Sequence, residues 1–330
     1  MKTKVGKKYL FKHIDARTDL ALEAREMLGI KGEVPGVRVE KEKKGQALVT
    51  RVEIFSDEGE QVLGKVKGNY ITIEAAGLRK RNRELQEAVG KVLADELSRL
   101  MGLDDDTKVF VVGLGNWNAT PDALGPQVIA NLLITRHLHE HTPEEVRGGL
   151  RSVCALAPGV LGLTGIETGE IILGIVDRIK PDLVLAVDAL AARNLERIMT
   201  TIQISDTGIH PGSGVGNKRV GITRETVGIP IYALGVPTVV HAVTIAADTI
   251  ELLIDQFRGE VKFYDILEEM DSQEQRNLIN EVLSTSVGDL MVTPKEIDVY
   301  IEDIARTLAG GINSALHPKI SYDEVMRYIM

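Results

Sequence analysis

Two uninterrupted apolar runs, Val109-Phe-Val-Val112 and Leu183-Val-Leu-Ala-Val187, constrain this chain more than any other feature. Each is too short for a buried helix, and neither offers a polar position to a solvent-facing side. They therefore read as parallel strands covered on both faces. From Lys108 onward, runs of this kind alternate with helical patterns. Strands are expected at 109–113, 152–157, 183–187, 201–205 and 230–234, and helices at 124–140, 168–179, 190–198 and 239–256. That order predicts an α/β chain, a three-layer α/β/α fold with a mostly parallel sheet.

Upstream the periodicity changes. Between Gly36 and Ile73 apolar and polar residues alternate, punctuated by Gly59, Gly64 and Gly68, which predicts a small antiparallel β-meander. Leu20 to Leu28 reads as a short helix, and Glu84 to Met101 as a longer one with Leu85, Val89, Leu93 and Leu97 on one face. The tail, 261–330, reads as helical, with one start at Asp271-Ser-Gln-Glu-Gln-Arg276. A second start is expected at Thr293-Pro294-Lys-Glu296, with Thr293 as cap and Glu296 closing a capping box. Residues 1–19 are basic and poorly patterned, and look like a detachable arm. The chain thus divides into that arm, a helix and meander over 20–105, and an α/β core with helical tail over 106–330.

Composition excludes several function classes. The net charge of -9 argues against a general nucleic-acid or membrane surface. The single cysteine, Cys154, cannot form an internal disulfide, which points to a reducing, cytoplasmic compartment. No apolar run reaches the roughly 18 residues of a membrane span. The N-terminus is basic but lacks the apolar core of a signal peptide.

Chemistry concentrates after the two apolar runs. The first leads into Gly113-Leu-Gly-Asn116-Trp-Asn-Ala-Thr120-Pro-Asp122-Ala-Leu-Gly125-Pro126, and the second ends on Asp188. Open α/β sheets carry their sites beyond the carboxyl ends of strands, so Asp122 and Asp188 become a candidate hydrolytic pair. Two carboxylates held close cannot both ionise cheaply, which leaves one as acid and one as base. On position alone, an N-cap role for either aspartate competes evenly with this. Asp206-Thr207-Gly208 matches the tripeptide of pepsin-like proteases, but those are all-β and the surroundings here are α/β. Gly208-Ile-His210-Pro-Gly-Ser-Gly-Val-Gly-Asn-Lys-Arg219 lacks the spacing of a phosphate loop and reads as a cleft wall with His210 as a substrate or ligand contact. His137, His139 and His141 lack the zinc-protease pattern and read as a solvated helix end.

Several strings are specific enough to carry a resemblance: Arg17-Thr-Asp-Leu-Ala-Leu-Glu-Ala24, Val111-Val-Gly-Leu-Gly-Asn116, Thr120-Pro-Asp-Ala-Leu-Gly-Pro126, Asp188-Ala-Leu-Ala-Ala-Arg193 and Met291-Val-Thr-Pro-Lys-Glu296. In these the chain resembles the germination proteases of spore-forming bacteria, endopeptidases that degrade small acid-soluble spore proteins. The resemblance implies an atypical aspartic endopeptidase of the spore core with Asp122 and Asp188 as catalytic residues. It also implies a zymogen that removes its own arm at the Asp19–Leu20 bond, and a homotetramer. Asn116 and His210 are carried along as cleft residues. No cofactor, resident metal, direct nucleic-acid contact or membrane partner is expected. The core is also similar to hydrogenase-maturation endopeptidases, which share the Gly-x-Gly-Asn loop. That second likeness supplies a metal-dependent alternative at the same site, with Asp122, Asp188 and His210 as ligands.

Overall fold

The computed structural model describes residues 18–26, 34–141, 143, 150–210, 221–246, 248–249 and 290–329. Among them, nine strands form a single sheet. The strands are β1 (Val37–Lys44), β2 (Ala47–Ile54), β3 (Gly68–Glu74), β4 (Lys108–Gly113), β5 (Ser152–Leu156), β6 (Leu183–Ala192), β7 (Thr201–Ser205), β8 (Ile231–His241) and β9 (Met291–Val292). Their order is β1-β2-β3-β7-β8-β6-β4-β5, with β9 added against β8. The β5-β4-β6-β8 portion is parallel, as the apolar runs require. The remaining pairs are antiparallel, because the meander continues the same sheet through β3 and β7. The sheet is therefore mixed.

The helices are α1 (Ala21–Glu26), α2 (Asp57–Leu63), α3 (Arg83–Met101), α4 (Leu124–Ala130), α5 (Arg136–His141), α6 (Leu161–Thr164), α7 (Thr168–Ile179), α8 (Arg224–Val227), α9 (Ile297–Leu316) and α10 (Tyr322–Ile329). Alternation along the central strands assigns them to two layers. Val109, Val111, Leu183 and Leu185 join a core with Leu93 and Leu97 of α3 and Leu308 of α9. Phe110, Val112, Val184 and Ala186 join a second core with Ile172 and Val176 of α7. With both faces covered, the arrangement is three-layer α/β/α.

Four local expectations are corrected. The helix expected at 190–198 is instead the second half of β6 followed by a short 3-10 turn, Leu195–Arg197. Ala189 to Ala192 carry good helix formers, but β8 runs alongside them and pairing overrides propensity. Likewise β8 continues to His241, where a helix was expected from 239. The helix expected over 124–140 is two, α4 and α5, separated at 131–135. Thr293 does not cap α9: its hydroxyl donates to the Thr238 carbonyl at 2.8 Å, and the helix begins at Ile297 after Glu296. The meander also contains α2, which Ser56 caps by accepting from the Gly59 N–H. The helix start at Asp271 and residues 1–17 of the arm lie outside the described residues.

Candidate active site

After β4 the chain turns to α4, α5 and β5 on one side, and after β5 it passes through α7 to β6 on the other. The reversal opens a crevice at the carboxyl ends of β4 and β6, where α/β sheets bind their ligands. A cleft of ≈ 580 Å³ occupies that position, and Asp122 and Asp188 both line it.

Glycines bring Asp122 there. A Cβ on Gly113 would lie 2.3 Å from the Gly125 carbonyl oxygen, and one on Gly125 would lie 2.2 Å from that of Leu114. The end of β4 and the start of α4 thus touch backbone to backbone. Gly115 has φ +111°, and a Cβ there would sit 2.0 Å from the Asp122 carbonyl oxygen. That oxygen accepts the Asn116 N–H at 3.0 Å, while the Asp122 N–H donates to Ala119 at 2.8 Å. Asp122 ends a 3-10 turn, Thr120–Asp122, and α4 is preceded by Ala123 without a side-chain cap. The N-cap reading of Asp122 therefore does not hold.

Asp188 lies within β6 rather than at its end. β4 stops pairing at Gly113 opposite Val187, so β6 runs on past its neighbour. Asp188 is the first residue of that overhang. It stands opposite Gly235 of β8, is 7% exposed, and its Oδ1 accepts the Ala189 N–H at 2.9 Å.

The edge of β6 left open by β4 is taken by the segment containing the expected cleavage bond. The Asp19 N–H donates to the Ala191 carbonyl at 3.1 Å, and the Ala191 N–H donates to Asp19 Oδ2 at 2.9 Å. Leu20 is fully buried in the core. Glu23 accepts the N–H groups of Arg193 and Asn194 at 2.7 and 2.9 Å, and Arg197 lies 3.3 Å away. Asp19 lines the same cleft as the two aspartates.

Two cleft residues were not anticipated. Lys65, in the turn after α2, donates to the carbonyls of Thr18 and Asp19, both at 3.1 Å. Burial holds its pKa below the ordinary lysine value, against the opposing pull of Asp19 and Glu23. Gln203 of β7 donates to the Asp19 carbonyl at 3.0 Å and accepts the Ala21 N–H at 2.7 Å. A long polar side chain inside the strand Thr201-Ile-Gln-Ile-Ser205 was the available signal for Gln203; Lys65 had none. Tyr70, also on the wall, donates to the Val66 carbonyl, and burial pushes its phenol up to about 12.

The other candidates separate. His210 lines the cleft, but residues 211–220 of its loop lie outside the described residues. Asn116 does not line it; its side chain closes a turn by accepting the Asn118 N–H at 2.9 Å. Asp206 accepts the backbone and side-chain N–H groups of Asn69, both at 2.7 Å, and joins β7 to β3. Cys154 is half-buried, packed beside the α7-side core, and burial raises its thiol pKa. Among the described residues no three His, Cys, Asp or Glu side chains are grouped to hold a metal ion, and no helix is long and apolar enough to cross a membrane.

Comparison with known proteins agrees with the sequence strings. The family model for germination proteases matches residues 14–265 and 259–329. A germination protease of Caldanaerobacter subterraneus subsp. tengcongensis is 56% identical over 313 residues, covering 94% of this chain and 96% of the relative. That of Clostridium acetobutylicum is 50% identical over 95% of this chain and 98% of its own length. That of Bacillus subtilis is 45% identical over 94% and 96%. Among solved structures, a nickel–iron hydrogenase maturation protease, HycI, from Thermococcus kodakarensis KOD1 matches 40% of this chain and 74% of its own, with 24% identity and a TM-score of 0.27.

Proposed function

The chain belongs to the germination protease family and is a peptidase, and from that premise we propose that it is an aspartic endopeptidase working through Asp122 and Asp188. One observation carries this reading. Two carboxylates from separate strand–loop units line a single cleft, and the Asp19–Leu20 segment is seated on the same wall.

The chemistry follows from the pairing. One carboxylate takes a proton from water as it attacks the peptide carbonyl, and the other protonates the leaving nitrogen. The substrates are small acid-soluble spore proteins in the spore core. Such disordered chains enter a cleft without first being unfolded. The arm, residues 1–19, keeps the enzyme in zymogen form until it is cut at Asp19–Leu20, and the active species is a homotetramer.

The test is hydrolysis of the peptide Arg-Thr-Asp-Leu-Ala-Leu, which copies residues 17–22, by wild type, Asp122→Asn and Asp188→Asn. Each substitution lowers kcat by roughly 10²–10⁴. Either variant cutting at the wild-type rate removes that residue from the mechanism. Activity lost on chelation and restored by a divalent cation would instead assign the carboxylates, with His210 on the same wall, to a metal.

A further inference from the structure

We propose that the seat occupied by Asp19 is the subsite for the residue before the scissile bond, with Lys65 and Gln203 holding its carbonyl and the Ala191 N–H reading its carboxylate. This rests on the peptidase reading above and assigns residues to it. Three observations carry it.

First, one carbonyl receives two side-chain donors. Lys65 Nζ stands 3.1 Å and Gln203 Nε2 3.0 Å from the Asp19 oxygen. Hydrolysis of Asp19–Leu20 adds hydroxide to the Asp19 carbonyl carbon, passes a proton to the Leu20 nitrogen and breaks the C–N bond. Negative charge builds on the oxygen that these donors hold. Preorganised donors at such distances stabilise a developing oxyanion far better than water can.

Second, Gln203 grips main chain on both sides of the bond. Its Nε2 serves the Asp19 carbonyl and its Oε1 accepts the Ala21 N–H at 2.7 Å. Both contacts are to backbone, so neither requires a particular side chain. The Ala191 N–H, at 2.9 Å from Asp19 Oδ2, is the contact that requires an acceptor on the side chain. Lys65 adds the positive charge that favours a carboxylate over an amide there.

Third, Lys65 is an expensive anchor. Its ammonium is largely desolvated, which the nearby Asp19 and Glu23 carboxylates offset only in part, and its hydrogen bonds go to the carbonyls of Thr18 and Asp19. When the arm departs, those carbonyls leave with it, and Lys65 faces the next segment to enter. The arm is thus held as a substrate would be, by groups that remain on the enzyme.

The experiment uses the full-length chain, incubated until its N-terminus is constant by mass spectrometry. Any variant that stalls is trimmed by a trace of processed wild type, whose own contribution is subtracted. Two peptides are compared, Arg-Thr-Asp-Leu-Ala-Leu and Arg-Thr-Asn-Leu-Ala-Leu. Wild type prefers the first by tenfold or more in kcat/KM. Lys65→Met lowers kcat roughly 10²-fold and narrows the Asp/Asn ratio to below threefold, while Lys65→Arg restores most of the ratio. Gln203→Leu lowers kcat/KM on both peptides and leaves the ratio unchanged. Lys65→Met with wild-type rate and ratio overturns the proposal; so does a Gln203→Leu variant, folded by circular dichroism, with wild-type kcat/KM. Wild type inactive on both peptides would instead sink the peptidase reading of this cleft.

Discussion

Gly115→Ala tests whether the loop after β4 exists to hold Asp122. The methyl group meets two obstacles. At φ +111° a side chain is strained, which costs about 1 kcal/mol. The larger obstacle is the Asp122 carbonyl oxygen, 2.0 Å from the new Cβ, when real Cβ contacts do not fall below 3.0 Å. The obstructing atom is backbone, so no rotamer change relieves it. Asp122 must retreat by about 1 Å, and its hydrogen bond from the Asn116 N–H, now 3.0 Å, lengthens with it. A displacement of that size at a reacting group costs on the order of 10²-fold in rate. The same strain lowers stability by roughly 1–3 kcal/mol. The assays are kcat on the Arg-Thr-Asp-Leu-Ala-Leu peptide at saturation and urea unfolding followed by circular dichroism. Gly102→Ala is the control: it has φ +56° with nothing within 4 Å, so it loses about 1 kcal/mol and no activity. A folded Gly115→Ala protein with wild-type kcat would refute the claim that this loop positions a catalytic group.

Two predictions concern stability alone. His317 is fully buried, and desolvation pushes its pKa down to about 4 from 6.5. The unfolded chain therefore takes up a proton below pH 6.5 that the folded chain refuses until about pH 4. Its contribution is complete above pH 6.5 and drains away toward pH 4, by about 3 kcal/mol at most. Urea unfolding at pH 7.5 and pH 4.5 measures it, and His317→Gln must show a smaller difference between the two. Arg151→Met removes a guanidinium that donates to the carbonyls of Leu103, Asp104, Ala315 and Leu316, just past α3 and at the end of α9. The loss is on the order of 3 kcal/mol in unfolding free energy, and a variant within 0.5 kcal/mol of wild type would refute it.

What could be read from the sequence was what local pattern dictates. The one-sided periodicity of α3 and α7, the apolar run of β4 and the alternation in β7 are properties of contiguous residues, and those elements fall where expected. Failures occur where a distant segment decides. Ala189 to Ala192 are all good helix formers, yet β8 holds them extended. Thr293 carries a capping pattern, yet its hydroxyl is used by Thr238 of β8. Asp122 and Asp188 could be placed beside one cleft because sheet topology locates a crevice in general terms. The contacts of Lys65 and Gln203 to Thr18, Asp19 and Ala21 span the chain, so no local pattern gives them, although a glutamine inside β7 marks Gln203 as unusual.

The misread part of β6 is also what joins the two halves of the site. Because β6 outruns β4 beyond Val187, Asp188 has β8 on one side and the cleft where β4 would continue, and the β4-side edge at Ala191 is taken by Asp19. The helix expected over 190–198 would have folded the Ala191 backbone groups into itself. It would have left an acid at a strand end, with no edge on which a peptide could lie. Extended chain docking on an exposed edge is how a sheet binds peptide backbone without regard to sequence. The same overhang therefore accounts for an acid at the cleft and for the pose of the segment expected to be cut. On the proposed reading the arm and a substrate meet the same edge, which Asp19 occupies through its two hydrogen bonds with Ala191.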